Sequence, residues 1–384
     1  MRDGLPPAPP PPPPAAVTAA AAPPAAVTAA ARPAAVTAAA AAAGTAAGGP
    51  WSRLRAVPRL GVGLGLGLTW LPLLLGPGTL DTAILTALYV TLAVAFDLVV
   101  GRVGALSLAQ ALFLGFGAYA AALLSVHLAA NGWLEAAAAA SGGALLALLI
   151  GIPSFRLSFH SFAIGTLGFG LIGSLIATNW ISVTGGPLCT TNVPPLTLPY
   201  PGGVFTALTL QQLYLVIAVI AWLAVTLIWL ISRSALGLAY TAVRDDPVLA
   251  GARGLWPNQL RISAFMISGA VTAIGGVFLA HYIGVVCPTQ FDFSTTLLLV
   301  IIVFVGGRAS LSGVITAAIV FTVLPQVLRL TDRWRIVLLA LTLLALILYK
   351  PQGLEALWRG RGTRLKARAR RAAQTRRAQP RPHR

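Results

Sequence analysis

The chain has 384 residues, of which 57% are hydrophobic and 9% charged, and its mean hydropathy is +0.83. Soluble domains carry about a quarter charged residues, so this composition excludes a water-soluble surface over most of the length and makes lipid the solvent. The formal net charge of +18 would point to nucleic acid in a soluble protein, but in a membrane protein the placement of the charges says more than their sum.

Residues 1–55 are Ala/Pro-rich. "PAAVTAA" recurs at 14–20, 24–30 and 33–39, and prolines run from Pro9 to Pro14. Such a segment has almost nothing large to bury and reads as disordered. It is no signal peptide, because polyproline follows Arg2 in place of an apolar core.

From residue 56 to 357 the chain reads as one transmembrane domain. Apolar runs lie near 60–76, 79–100, 113–130, 136–153, 160–178, 213–232, 260–284, 293–306, 309–330 and 334–349. A span needs about 20 apolar residues, and buried broken helices tolerate fewer. The expectation is an all-α polytopic membrane protein of about eight to ten transmembrane helices, some of them broken or re-entrant.

With the N-terminus inside, Arg102, Arg156, Arg233, Arg244, Arg253, Arg261 and Arg308 all fall in inner loops. The outer loops at 77–78, 131–135, 179–212 and 285–292 hold no Lys or Arg. In this arrangement 24 of the 27 basic residues are inside, as the positive-inside rule asks, which places both termini in the cytoplasm. The tail 358–384 holds 11 Lys/Arg between Arg359 and Arg384 and no acid. It reads as a basic cytoplasmic segment on anionic lipid headgroups. No aromatic residue is interleaved after Trp358, so it carries no signature of specific nucleic-acid binding.

Catalytic chemistry is not visible. "GVGLGLGL" at 61–68 lies inside an apolar run and lacks dinucleotide-site spacing. No G-x-x-x-x-G-K-[ST] occurs, so ATP, if it is used, binds another chain. The histidines His127, His160, His281 and His383 show no metal-ligand spacing, and no cofactor is expected. Cys189 and Cys287 read as two unrelated thiols in outer loops, a disulfide being the less favoured alternative.

Polar residues inside spans are the remaining functional hint. Asp97 closes the run 79–100, where it serves either function or anchoring beside Arg102; His281 and Tyr282 read as interface anchors. Gln110 opens "QALFLGFGAY", in which Gly115 and Gly117 permit close helix approach or a helix break. "VGRVGALSL" (100–108) and "VGGRASLSG" (305–313) echo one another at two inner turns, as duplicated transporter halves do.

"LSLAQALFLGFGAYAAALL" (106–124) resembles the L-S-L-G-Q-A-x-F-x-G-x-G-A-Y signature of bacterial branched-chain amino acid ABC permeases, whose urea-transporting siblings are close. "RLSFHSFAIGTLGFGLI" (156–172), "AVRDDPVLAGARGL" (242–255), "AHYIGVVCPTQF" (280–291), "VGGRASLSG" and "YKPQGL" (349–354) follow in family order, so the resemblance covers about residues 80–357. It implies an ABC-importer permease subunit in the bacterial inner membrane. The implied partners are a second permease subunit, cytoplasmic ATPase subunits and an extracytoplasmic substrate-binding protein. The implied cargo is a branched-chain amino acid or a related small polar solute. The chain departs from the family pattern at Leu171, where a glutamate is usual, in "TGGPLCTT" (184–191), which lacks the usual aspartate, and at Pro247 and Gly251. A secondary transporter or channel is the alternative, but a proton- or sodium-driven carrier usually needs ionisable groups at mid-membrane, and the central parts of these spans carry almost none.

Two groups of site residues follow. Ser107, Gln110, Gly115, Gly117, Tyr119 and Thr166 are expected to line or shape the substrate pathway. The resemblance implies that 242–261 is the coupling helix, with Arg244, Asp245, Asp246, Leu249, Ala252, Gly254 and Leu255 at the ATPase. Within it a short helix is expected from Val248 to Arg253, capped by Asp245–Asp246 and ended by Gly254.

Overall fold

The structure is a computed structural model and describes residues 77–200 and 203–327. The repeats at 14–39, the runs 60–76 and 334–349, the basic tail and both domain boundaries lie outside the described residues.

Eight apolar helices account for eight of the ten expected runs. They are α1 (Pro77–Asp97), α2 (Gln110–Leu128), α3 (Gly132–Ser154), α4 (Phe159–Asn179), α6 (Leu210–Arg233), α9 (Pro257–Ile283), α10 (Phe293–Gly306) and α11 (Leu311–Val327). Seven helical stretches among the described residues are long and apolar enough to cross a membrane, α10 when counted with the turn before it as Pro288–Gly306; α11 is shorter. Between them lie three short helices, α5 (Ile181–Thr184), α7 (Ala235–Asp245) and α8 (Pro247–Ala252). The strands β1 (Thr197–Tyr200) and β2 (Gly203–Thr206) pair antiparallel, with Thr197 opposite Thr206.

The spans form because an apolar chain in lipid must satisfy every backbone group internally. Water supplies no apolar driving force between them, so small residues decide which helices touch. α2 packs along α9 where Gly117 meets the Ala273 backbone and Gly276 meets the Leu114 backbone; a Cβ at either glycine would overlap a carbonyl oxygen. Gly143 and Gly269 face each other where α3 packs on α9. α1 is the most enclosed span, packed by α6, α9 and α11. α6 turns the stripe Tyr214, Ile217, Ala221 and Ile228 inward and leaves Val219, Leu223 and Leu227 outward, facing lipid. α4 lies at the edge, against α2 and α3 only lightly, with Ile164, Leu171 and Leu175 exposed.

α1 does not stop at Asp97 but runs on as a π-turn, Leu98–Val103, which Gly104 closes at φ +79°. This is the first of the two echoed turns, and the second lies against it. Asp97 Oδ1 accepts the Ala309 backbone N–H at 2.9 Å, and Arg102 donates to the Ala309 carbonyl at 3.4 Å. Asp97 and Arg102 therefore meet on one residue of the opposite turn, and Asp97 is fully buried rather than anchored at headgroup level.

Two expectations at the other end are corrected. Cys189 and Cys287 are bonded to each other, with Cα atoms 4.5 Å apart, across 98 residues of sequence. Thr190 and Val286 exchange both backbone hydrogen bonds at 2.9 Å beside them. His281 is not an interface anchor, because its imidazole is buried against Glu135. The spacings of 98 and 146 residues hid both pairs from a local reading.

Candidate functional site

The described arginines gather at one end of the bundle. Arg102, Arg244 and Arg308 surround the two echoed turns, and Arg261 lines a small cavity with Val103 and Phe155. At this end the chain leaves α6, forms α7, turns sharply and forms α8. Asp246 is extended (φ −154°, ψ 102°), and its carboxylate accepts from the N–H groups of Val248 (2.9 Å) and Leu249 (3.0 Å). Pro247 fits the first turn because its missing N–H would have had no partner there. Gly254 at φ +85° then turns the chain toward α9.

The short helix thus lies where the sequence placed it, with one correction. Asp245 does not cap it; Asp245 ends α7 and accepts both Nε and Nη2 of Arg244, at 3.1 and 3.0 Å. α8 turns Ala250 inward and leaves Val248 81%, Leu249 51% and Trp256 71% exposed, with Ala252 also outward and Leu255 half-buried. Six residues cannot hold a helix alone in water, and three large apolar side chains outside the spans form a patch that water disfavours.

The expected pathway residues lie around the start of α2. Residues 104–109 are non-helical, so the first N–H groups of α2 need partners inside the bundle. Leu108 N–H donates to Thr166 Oγ1 from α4 at 2.9 Å, Ala109 N–H to Ser107 Oγ at 3.3 Å, and Ala111 N–H to Thr296 Oγ1 from α10 at 3.0 Å. Gln110 donates through Nε2 to Ser268 (3.3 Å) and Thr272, near the midpoint of α9. Ser107, Gln110 and Thr166 are fully buried; Gln110 ties α2 to α9 and Thr166 ties α4 to the segment before α2, Ser107 braces that segment locally, and Gly117 forms the α2–α9 contact.

Gly115 and Tyr119 are placed differently. They line a groove of about 470 Å³ between α2, α3 and α4, walled by Phe116, Leu149, Phe169 and Ile176 and closed on one side by Phe291. Phe291 packs on Gly115, and its ring centre is 6.0 Å from that of Tyr119. The groove's lining is apolar apart from hydroxyls such as those of Ser174, Thr184 and Tyr119, and it contains no charged side chain.

Sequence reasoning missed the donors and acceptors supplied from a distance, namely Ser268, Thr272, Thr296 and the Glu135–His281 pair. Ser268 and Thr272 are four apart on one face of α9, a visible signal; the others had none. In the pair, His281 Nδ1 is 2.9 Å from the Pro194 carbonyl oxygen, which can only accept, so Nδ1 carries a proton. Nε2 is 2.6 Å from Glu135 Oε2, a contact that needs a second proton between the two atoms. The pair joins α3, α9 and the 190–196 loop.

This architecture, apolar spans around a glycine-locked core with a pair of short helices displayed at one end, is that of a multi-pass membrane protein. Residues 78–346 match the family described as branched-chain amino acid transport system / permease component, and the chain belongs to that family. It is 32% identical over 308 residues to the high-affinity branched-chain amino acid transport system permease protein LivM of Escherichia coli (strain K12). That match covers 75% of this chain and 72% of the relative. The LivM protein of Salmonella typhimurium (strain LT2) is 30% identical over the same shares. A shorter match, 33% identical over 135 residues, reaches the fructose import permease protein FrcC of Rhizobium meliloti, covering 33% of this chain and 38% of the relative. No solved structure matches the chain. The chain is thus a permease subunit of an ABC importer, and such permeases work with ATPase and substrate-binding partners.

Proposed function

We propose that this subunit carries a branched-chain amino acid, or a solute of similar size with an apolar side chain, and forms its pathway with a second permease subunit. Two of the similar proteins are named for branched-chain amino acids, and the apolar groove beside Gly115 and Tyr119 suits an aliphatic side chain. Ser107, Gln110, Gly117 and Thr166 shape that route by fixing the helices behind it. The exposed edge of α4 suits the second subunit. ATP is bound by the partner ATPase, which docks on α8.

The arginine end is cytoplasmic in this reading, and both termini with it. The charge asymmetry supports it, and so does the disulfide at the opposite end, since disulfides persist in oxidising compartments. The basic tail then rests on anionic lipid.

The observation that carries the reading is the apolar face Val248–Leu249–Trp256, held out from the arginine end by a capped two-turn segment. Leu249→Glu is expected to abolish co-purification of the ATPase subunits and substrate-stimulated hydrolysis while the protein still inserts. Wild-type ATPase binding and stimulated hydrolysis in that variant would refute the docking of the ATPase on α8.

A further inference from the structure

Arg244 was placed by sequence among the residues that meet the ATPase, yet its side chain reaches back into its own membrane domain. Its Nη1 donates to the carbonyl oxygen of Gly101 at 2.8 Å. Asp245 takes Nε and Nη2, which fixes the plane of the guanidinium so that Nη1 faces α1. The aliphatic stem lies over Gly104, where a Cβ would come within 2.6 Å of Arg244 Cγ.

Gly101 belongs to the last turn of α1, whose carbonyls have no donor within the helix. That end of the helix carries a partial negative charge, which favours a cation. The same turn is held from its other side by Asp97 on Ala309 and by Arg102 on Ala309. Gly101 cannot be replaced without displacing these contacts, since a Cβ there would lie 2.1 Å from Asp97 Oδ1 and 2.4 Å from Ala309 N. Six residues after Gly104 the chain enters α2 at Gln110, with the N–H of Leu108 just before it held by Thr166 and that of Ala111 held by Thr296.

We propose that Arg244 is a positioning residue that couples the displayed segment to the membrane core. Its guanidinium clamps the π-turn of α1, so that displacement of α7 and α8 is delivered to the buried turn that starts α2. The inference rests on the reading of α8 as the ATPase contact. It adds that the stroke enters the membrane chiefly through the hydrogen bond to Gly101 rather than through α9, which continues the chain from α8 and which α7 also touches where Tyr240 meets Ser263.

The test uses the full importer, with its ATPase chains and substrate-binding protein, in lipid. Arg244→Met keeps the stem and removes the donors, whereas Arg244→Lys keeps one donor. Arg244→Met is expected to retain the ATPase chains but lose substrate-stimulated hydrolysis and uptake roughly tenfold, the scale of coupling carried by a single contact. Arg244→Lys is expected to restore most of both, a rescue that loss of stem packing would not give. Spin labels at Leu238 on α7 and Leu171 on α4 supply a second readout. ATP should change their separation in the otherwise unaltered complex and leave it unchanged in Arg244→Met. If Arg244→Met fails to insert, Asp245→Ala, which frees the guanidinium, is expected to lower stimulated hydrolysis in its place. Wild-type stimulation in whichever of these variants inserts overturns the proposal. The underlying reading fails separately, if Leu249→Glu keeps the ATPase chains and their stimulation. If Leu249→Glu loses them while Arg244→Met keeps its stimulation, the inference about Arg244 alone is wrong.

Discussion

The two ends of the bundle are finished in opposite ways. At the disulfide end the chain closes on itself. Cys189 is bonded to Cys287, Thr190 is paired with Val286, Trp133 donates to the Pro199 carbonyl at 3.2 Å, and Glu135 and His281 hold the loop through Pro194. At the arginine end α7 and α8 are joined to the core through a few contacts, such as Tyr240 on Ser263 and Arg244 on Gly101, and the apolar side of α8 is left uncovered. Both ends expose apolar side chains, Leu188 (82%) and Leu208 (76%) at the closed one and Val248 (81%) and Trp256 (71%) at the open one. What differs is that the closed end is tied by a covalent bond and a buried polar pair, while the helix that carries Val248 and Leu249 is too short to hold itself. Under the proposed reading, the open end is where the ATPase acts, and the contrast between the ends separates stability from coupling.

The largest expected effect is at the closed end. Removing one partner of a buried pair leaves the other uncompensated and costs about 3–5 kcal/mol. Glu135→Ala should therefore lower the melting temperature of the detergent-solubilised protein more than any change on α8. Glu135→Gln should largely spare it, because the amide can donate to Nε2 of a neutral imidazole protonated at Nδ1. Equal losses from both variants would mean that the pair is not organised by a shared proton.

Next in size is the disulfide. Cys189→Ser should cost about 2–4 kcal/mol, the usual value of a bridge closing a long loop. Reductant should reproduce the loss in the wild type and add nothing in the variant. No effect of reductant would show that the closed end does not depend on the bond.

The smallest effect on stability is expected at the open end. Asp246→Ala removes the cap of α8, worth about 1 kcal/mol and confined to a segment that contributes little to the core. Melting should be nearly unchanged while substrate-stimulated hydrolysis falls. A large drop in melting temperature would make α8 part of the folded core and dissolve the contrast between the two ends.

The sequence revealed these ends unequally. The open end was legible because its signals are local: Asp246, Pro247 and Gly254 punctuate a helix within nine residues, and the charges mark its side. Only the division of labour between the two aspartates was misread, since the point at which α7 stops depends on packing. The spans were legible from apolar length. Their neighbours were not, because a helix wholly in lipid shows no polar face and the Gly117 and Gly276 contacts are identical in sequence to the open Gly168 of α4. The closed end was hidden for the opposite reason. Its cysteine and Glu–His pairs are long-range, and the β1–β2 hairpin lay inside what reads as a 34-residue outer loop, marked only by Pro201-Gly202.

The measurement that bears most directly on the account is cross-linking from a single cysteine at Leu249. Among the described residues both native cysteines are bonded to each other, so Leu249→Cys introduces one free thiol. In inside-out membrane vesicles containing the complete importer, a thiol-to-amine cross-linker should join position 249 to an ATPase chain. A membrane-impermeant maleimide added to intact cells should leave it unlabelled. Labelling from outside would contradict the orientation, and cross-linking only within the chain itself would contradict the role of α8.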